Sequence, residues 1–271
     1  MTMDHVAQNG LVLLGCGKMG SAMLAGWLAD GLPASSVWVL DPAPSDWLQS
    51  TGVQINAPLP AAPAVAIIAV KPQMMGEALP AMAALGGGKT VFVSIAAGTP
   101  IAQFEAAFGA SAPIVRSMPN TPAAIGQGIT ALFGNSAVTS AQMDMAEMLL
   151  AAVGETVRLE SEAQIDAVTA VSGSGPAYVF HLIETMAAAG EAQGLSREMA
   201  LKLARATVAG AGALAMADDT SPAQLRINVT SPGGTTQAAL EVLMDANAGF
   251  PALLDRAVTA AADRARELGN G

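Results

Sequence analysis

The sequence is poor in charge, in aromatic rings and in cysteine, and each shortage excludes something. Only 13% of its 271 residues are charged and 4% are aromatic, against 52% hydrophobic, which excludes an intrinsically disordered chain. Twelve Lys plus Arg face 22 Asp plus Glu, for a net charge of −10. A chain so short of cations lacks the footprint that neutralises phosphates, so neither nucleic acid nor an anionic membrane surface is an expected partner. The single cysteine, Cys16, cannot form an intramolecular disulfide, which fits a reducing compartment. The first ten residues include Asp4, His5, Gln8 and Asn9 and show neither the basic segment nor the apolar run of a signal peptide, so the expected location is cytoplasmic. The longest uncharged stretch, Ser117 to Met143, is interrupted by Pro119, Pro122, Gly126, Gly128 and Gly134, and no transmembrane helix is expected. So little charge also leaves the surface short of polar cover, which suggests apolar surface hidden in an oligomer; an alanine-rich composition by itself is the other reading.

What is there divides into two halves. Leu11–Leu14, Val37–Leu40, Val65–Val70, Val91–Ile95 and Ile114–Val115 are brief apolar runs of the kind buried in a parallel sheet. Segments such as Met19–Ala29, Pro72–Leu85 and Pro100–Phe108 lie between them and are long enough for crossover helices. Two further strands, Ile129–Phe133 and Thr156–Leu159, flank a helix from about Ser140 to Ala152. This is βαβ repetition, and it predicts an α/β fold: a doubly wound, Rossmann-type sheet over residues 1–160. From residue 161 to 271 strand signals nearly stop. Ala, Leu and Met recur at helical spacing through Gln164–Gln193, Arg197–Ala217, Thr235–Asp245 and Pro251–Leu268, which predicts an all-α second domain. Ser196 before Arg197 and Ser221 before Pro222 read as helix caps. Small residues from Ala206 to Ala217, with glycines near Val208–Gly212, permit close backbone approach and point to a dimer through this domain.

The chemistry-bearing motifs begin with Gly15-Cys16-Gly17-Lys18-Met19-Gly20, which follows the first strand and opens a helix. In that context Gly15 allows a tight turn, Gly17 lets backbone approach a pyrophosphate, Gly20 permits close helix packing, and the helix start offers amides to the phosphates. Asp41 lies 21 residues beyond Gly20, at the end of the second strand, where a carboxylate can bind ribose hydroxyls. The loop Pro42-Ala43-Pro44-Ser45-Asp46 holds no Arg or Lys for a 2′-phosphate, although Ser45 and backbone amides could meet one. The missing cation favours NADH, and since Ser45 and backbone amides could hold a phosphate, both NADPH and NADH are expected to serve. Ala69-Val70-Lys71-Pro72 brings one of four lysines to the carboxyl edge of the sheet, where Val70, Lys71 and Pro72 can line a nicotinamide pocket; a solvated lysine before a helix-opening proline is the alternative. Ala96-Ala97-Gly98-Thr99 and Ser117-Met118-Pro119-Asn120-Thr121-Pro122 read as further pocket walls.

In the helical half, Ser172-Gly173-Ser174-Gly175-Pro176-Ala177 interrupts an apolar helical pattern, either to make room for a ligand near Ser174 or to bend the chain. Thr230-Ser231-Pro232-Gly233-Gly234-Thr235-Thr236 supplies hydroxyls and unpaired amides at a helix start, a carboxylate site without an arginine. No paired His or Cys cluster suggests a metal, and no Gly-x-Ser-x-Gly elbow is present. Of the two histidines, His5 falls in a frayed N-terminus and His181 in an apolar run as a core or interface residue.

Taken together, Gly15-Cys16-Gly17-Lys18-Met19-Gly20, Ala69-Val70-Lys71-Pro72, Met118-Pro119-Asn120-Thr121-Pro122, Ser172-Gly173-Ser174-Gly175-Pro176-Ala177 and Ser231-Pro232-Gly233-Gly234-Thr235-Thr236 resemble the motifs of pyrroline-5-carboxylate reductases. The resemblance spans residues 11 to about 266 and implies reduction of 1-pyrroline-5-carboxylate to L-proline by NADPH or NADH, the last step of proline biosynthesis. It also implies a helical domain that interlocks with a partner subunit, a larger ring of dimers, and Thr236 as the residue nearest the imine nitrogen. Gly233, Gly234, Thr235, Ser231, Ser174, Pro119 and Asn120 would bind substrate, and Lys71 would join Thr236 at the catalytic centre. The β-hydroxyacid dehydrogenases resemble the chain less, since their catalytic lysine has no counterpart in Gln164–Gln193. Reduction of another cyclic imine, or a catalytically silent NAD(P)-sensing module, are the remaining readings.

Overall fold

A computed structural model describes residues 2–217 and 219–269. The chain divides into two compact units, one running up to Gly173 and resuming from Ala261, the other from Ser174 to Ala260. The division thus falls beyond the Glu160 expected from the end of the strand signals. The reason is local: Ile165 and Ala170, early in the helical half, are buried within the first unit.

The first unit is built on one eight-stranded sheet. In chain order its elements are α1 (Met3–Asn9), β1 (Leu11–Leu14), α2 (Lys18–Ala29), β2 (Val37–Leu40), α3 (Asp46–Ser50), β3 (Gln54–Ile55), β4 (Val65–Ile68), α4 (Met75–Ala78), β5 (Val91–Ser94), α5 (Ile101–Phe108), β6 (Ile114–Met118), β7 (Gly128–Gly134), α6 (Ser140–Ala151), β8 (Gly154–Arg158) and α7 (Gln164–Val168). The strand order is β3-β2-β1-β4-β5-β6-β7-β8. The first six strands run parallel; β7 is antiparallel to β6, and β8 follows β7 in parallel.

β1, β2 and β4 are apolar at every position because both faces of the sheet are covered there. Leu11, Leu13, Val65, Ile67, Val91 and Val93 point into one layer with Met23, Leu24 and Trp27 of α2 and Leu149 of α6. Val12, Leu14, Ala66, Ile68 and Phe92 point into the other, with Met82, Phe104 and Phe108. The buried Trp27 indole donates its N–H to the Leu149 carbonyl at 2.7 Å, which pairs its one polar atom. Chain order reverses direction between β1 and β4, the switch point beyond whose carboxyl ends sheets of this kind bind their ligands.

Two expectations are corrected here. The Pro72–Leu85 crossover is not one α-helix but two 3₁₀ segments, Pro72–Met74 and Leu79–Leu85, around the single turn of α4, because Pro80 cannot donate to a continuing helix. The N-terminus is not frayed: α1 is tied down by Val6, which is fully buried, and His5 lies on this helix within 3.3 Å of Asn9.

The second unit is helical. After a π-helical turn at Thr169–Gly173, α8 (Gly175–Ala192), α9 (Arg197–Ala217), α10 (Pro222–Asn228), α11 (Thr235–Leu243) and α12 (Phe250–Gly269) follow, α12 from Ala261 on counting with the first unit. The Ser172–Ala177 interruption is real: the helix restarts at Gly175 with Pro176 in its first turn, where no amide is needed. Ser221 caps α10 by accepting the Gln224 N–H, and Ser196 caps α9 by accepting that of Met199 at 3.3 Å. Between Ser174 and Ala260 the buried side chains among the described residues are Ala187, Ala200 and Ala204, where α8 meets α9 and Gly190 allows close approach to Ala200. Phe180 (63%), Met216 (72%) and Val242 (71%) are among many large apolar side chains left exposed. Gly210 and Gly212 face open space, so the close approach expected of them is not met within this chain. By length and composition α9 is long and apolar enough to cross a membrane, a property the reading of uncharged stretches did not find.

Candidate active site

The glycine loop has the geometry its spacing predicts. Gly15 turns with φ +88°, where a side chain would be strained and would meet Val70 at 2.9 Å. A Cβ at Gly20 would lie 2.5 Å from the Gly15 carbonyl oxygen, so α2 approaches β1 this closely only because residue 20 has no side chain. Gly17, by contrast, meets nothing within 4 Å. It caps α2 without any side-chain bond, leaving first-turn amides directed at an open cradle that a Cβ would fill. Lys18 and Met19 continue that first turn, Lys18 exposed. The residues therefore fit a dinucleotide, whose pyrophosphate the Gly17 cradle and the α2 amides would hold. Cys16 is half-buried, and burial, then the Asp41 carboxylate, push its thiol up to about 11.

Asp41 lies at the end of β2, as expected, but its carboxylate is already tied to backbone. One oxygen accepts the Cys16 N–H at 2.7 Å and the other the Ala43 N–H at 2.8 Å. Asn56, which the sequence reading did not single out, pairs with the Asp41 peptide in both directions: it accepts the Asp41 N–H at 3.0 Å and donates to the Asp41 carbonyl at 2.8 Å. It does so at φ +50°, the only non-glycine among the described residues with positive φ, and Asn tolerates that conformation better than most residues. An Asn at this place gives no sequence signal without the fold.

At the neighbouring strand ends, Val70 is half-buried and Lys71 is exposed, with Pro72 opening the 3₁₀ turn after it. Ala96 is buried and Ala97 half-buried, while Gly98 (φ +68°) packs against Leu268 of α12, where a Cβ would come within 3.1 Å. Pro119 is buried and Asn120 partly so. The Asn120 side chain donates to the Ser172 hydroxyl at 3.2 Å and accepts the Ile129 N–H at 3.0 Å, tying the β6 edge to the π-helical turn. Behind this edge Arg116, buried within β6, is paired at 2.8 Å with Glu162, which also accepts the Ile101 N–H at 2.8 Å. The sequence reading ended β6 before Arg116.

In the helical unit Ser174 stands immediately before α8, its carbonyl accepting the Ala177 N–H at 3.0 Å. His181 is exposed on α8 with Glu184 at 3.1 Å, so it is not a core residue of this chain. The Ser231–Thr236 loop turns through Gly233 (φ +68°) into α11. The Gly234 N–H donates to the Ser231 carbonyl at 3.0 Å and the Gly233 N–H to the Gln237 side chain at 2.7 Å. Gly234 is therefore not a free donor, and the amides open to an anion are those of Thr235 and Thr236, at the positive end of α11. A cleft of about 420 Å³ adjoins the loop between α10 and α11, lined in part by Arg226, Thr230, Gln237 and Glu241. Arg226, a basic group near this loop, was missed because it precedes the motif by a helical turn.

The sequence and the fold are shared with known proteins. Residues 162–268 match the family model described as pyrroline-5-carboxylate reductase dimerisation, and residues 11–98 one described as NADP oxidoreductase coenzyme F420-dependent. A pyrroline-5-carboxylate reductase of Pseudomonas aeruginosa is 44% identical over 264 residues, which cover 95% of this chain and 96% of the relative. The chain belongs to the pyrroline-5-carboxylate reductase family. The Synechocystis member is 40% identical, with 96% of this chain and 98% of the relative covered. A solved pyrroline-5-carboxylate reductase from Coxiella burnetii, 34% identical, superposes with a TM-score of 0.89 over 96% of this chain and 98% of its own. The Plasmodium falciparum enzyme, solved with NADP bound, is 29% identical and superposes at 0.83 over 97% of this chain and 99% of its own. Membership makes the chain an NAD(P)H-dependent oxidoreductase of proline biosynthesis with a homo-oligomerising helical domain, and it displaces the β-hydroxyacid dehydrogenase alternative.

Proposed function

We propose that this chain reduces the C=N bond of 1-pyrroline-5-carboxylate to give L-proline, with NADPH or NADH as hydride donor. The observation that carries the reading is the open cradle at Gly17, bounded by the close contact of Gly20 with Gly15. When bound there, the reduced nicotinamide supplies the hydride. The chain's own part is binding and orientation. The Thr235 and Thr236 amides, with the Ser231 hydroxyl, hold the substrate carboxylate through unpaired donors and the helix dipole. Thr236 hydrogen-bonds the ring nitrogen, and since a threonine hydroxyl is too weak an acid to protonate it alone, the proton arrives on the substrate or from water. Lys71, Val70, Pro72, Ala96, Ala97 and Gly98 are assigned to nicotinamide binding, and Pro119, Asn120 and Ser174 to substrate binding.

Functionally the chain divides near Glu160, the cofactor domain before it and the substrate-binding, dimerising domain after it; the dimerisation match beginning at 162 supports that division. The exposed apolar faces of the helical unit are covered by a second copy and not by lipid, since α9 carries Arg197, Glu198, Lys202 and Arg205 in its first turns. A ring of such dimers is the larger assembly, and the enzyme is cytoplasmic. The assay follows absorbance of the reduced cofactor with 1-pyrroline-5-carboxylate, and separately its formation from a 3-hydroxy acid and oxidised cofactor. Oxidation with the imine alone is expected; no turnover of the imine overturns the proposal.

A further inference from the structure

We infer that Asp41, held in place by Asn56, reads the unphosphorylated adenosine ribose and makes NADH the preferred cofactor of this chain. The inference rests on the dinucleotide reading of the glycine loop and goes beyond it in choosing between the two nucleotides.

A 2′-phosphate needs cations or free amides, whereas a ribose 2′-hydroxyl needs an acceptor. At the end of β2 the chain offers the second and no cation for the first. The Asp41 carboxylate is immobilised by two amides, Cys16 N–H at 2.7 Å and Ala43 N–H at 2.8 Å. Those bonds use two of its roughly four acceptor sites, which leaves lone pairs for ribose hydroxyls. The same amides are lost to a phosphate. In the following loop Pro42 and Pro44 have no N–H, and the Ser45 hydroxyl oxygen accepts the Leu48 N–H at 3.2 Å as a helix cap. The loop's only other charge is Asp46, again negative. Lys18, the cation nearest in sequence, belongs to the first turn of α2, at the pyrophosphate end of the cradle.

Asn56 fixes the Asp41 main chain, and with it the place from which the amide-held carboxylate projects. Its side-chain amide pairs with both the N–H and the carbonyl of Asp41, and its own N–H donates to the Val39 carbonyl at 2.9 Å, so it is itself fixed to β2. A phosphate arriving here would meet a fixed anion that cannot turn aside without breaking backbone hydrogen bonds. Discrimination then comes from repulsion of the wrong ligand as much as from attraction of the right one.

The test is equilibrium binding of NADH and of NADPH to the intact protein, by quenching of tryptophan fluorescence, with no imine present. NADH is expected to bind roughly tenfold or more tightly than NADPH. Asp41→Asn, which keeps the shape and an acceptor oxygen, should bring the two dissociation constants to within about threefold. Asn56→Gly, which suits φ +50° and removes only the side chain, should lower the ratio in the same direction while thermal melting confirms the fold. Equal or tighter binding of NADPH by the wild type overturns the inference while leaving the dinucleotide site standing. A ratio unmoved by Asp41→Asn also overturns it, and one unmoved by Asn56→Gly removes Asn56 from it. Failure of both nucleotides to bind overturns the dinucleotide reading and this inference together.

Discussion

Every side chain of β1, from Leu11 to Leu14, is buried, whereas of the 21 residues of α9 only Ala200 and Ala204 are. Both segments are strongly apolar, so hydrophobicity alone does not decide where a residue ends. β1 lies between β2 and β4 with helices on both faces, and its burial is complete within one chain. α9 meets α8 along a seam of alanines and leaves Met199, Leu203, Leu214 and Met216 exposed. Helices of this length owe most of their stability to packing of an apolar face. The helical unit is thus specified as secondary structure by one chain and completed as tertiary structure by two, consistent with the dimerisation match over residues 162–268.

The sharpest way to break this comparison is a charge on the exposed face of α9. Leu203→Asp should convert the protein from dimer to monomer at micromolar concentration and abolish imine reduction, because each unpaired apolar face would then remain in water. Light scattering measures the mass. A wild-type protein that is already monomeric would show that α9 needs no partner and that the contrast is one of composition only.

The next effect tests whether the first unit really closes by itself. Arg116 is buried in β6 and neutralised by Glu162, and its Nε finds no hydrogen-bond partner among the described residues. Removing Glu162 strands a buried cation and an unpaired Ile101 N–H. Glu162→Ala should cost about 3 kcal/mol of stability, read by denaturant unfolding. Arg158→Ala, at an exposed cluster with Asp144 and Glu147, should cost less than about 1 kcal/mol. Equal losses would mean that burial of the first pair is not what sets its value.

A smaller effect probes what the helical unit contributes to chemistry. Thr236 is proposed to hold the imine nitrogen through one hydrogen bond, so Thr236→Ala should lose about 1–3 kcal/mol of transition-state stabilisation, with NADH affinity unchanged. Steady-state kinetics with a cofactor titration separates the two. Wild-type turnover and Michaelis constant would remove Thr236 from the mechanism.

The first unit was the more legible of the two, for reasons visible in particular residues. β1 and β2 can be read off the sequence residue by residue, since each apolar run stops where a Gly or Asp begins the next turn. β6 was read as ending at Val115 because a charge normally marks a surface, and the neutralising Glu162 is 46 residues away in sequence. Two-residue β3 carries no periodicity at all, and Asn56 beside it acquires its role only once β2 and β3 are paired. The glycine loop was legible because its three glycines answer to backbone geometry, which spacing encodes. Gly210 and Gly212 read as close-approach positions, but none of the described residues approaches them. What the sequence of a single chain leaves unsaid about α9 is the identity of its neighbour.

The smallest effect concerns Cys16, where the self-contained packing of the first unit should make a reactive group quiet. Burial, and then the Asp41 carboxylate, raise the thiol to about 11. Both act against the thiolate, the species that attacks alkylating reagents. At pH 8 the folded protein should therefore react with iodoacetamide roughly tenfold or more slowly than the unfolded chain. The sign for stability follows. Because the unfolded chain releases this proton at lower pH than the folded one, the folded state binds more protons in the interval up to about 11, and stability falls as pH rises through it. Cys16→Ala removes that contribution. It should also leave NADH affinity within about twofold, since Asp41 is held by the backbone N–H of residue 16 and not by its sulfur. Alkylation of the folded protein at the unfolded rate would show that the loop opens freely, and that even the tightly packed unit is mobile where the cofactor binds.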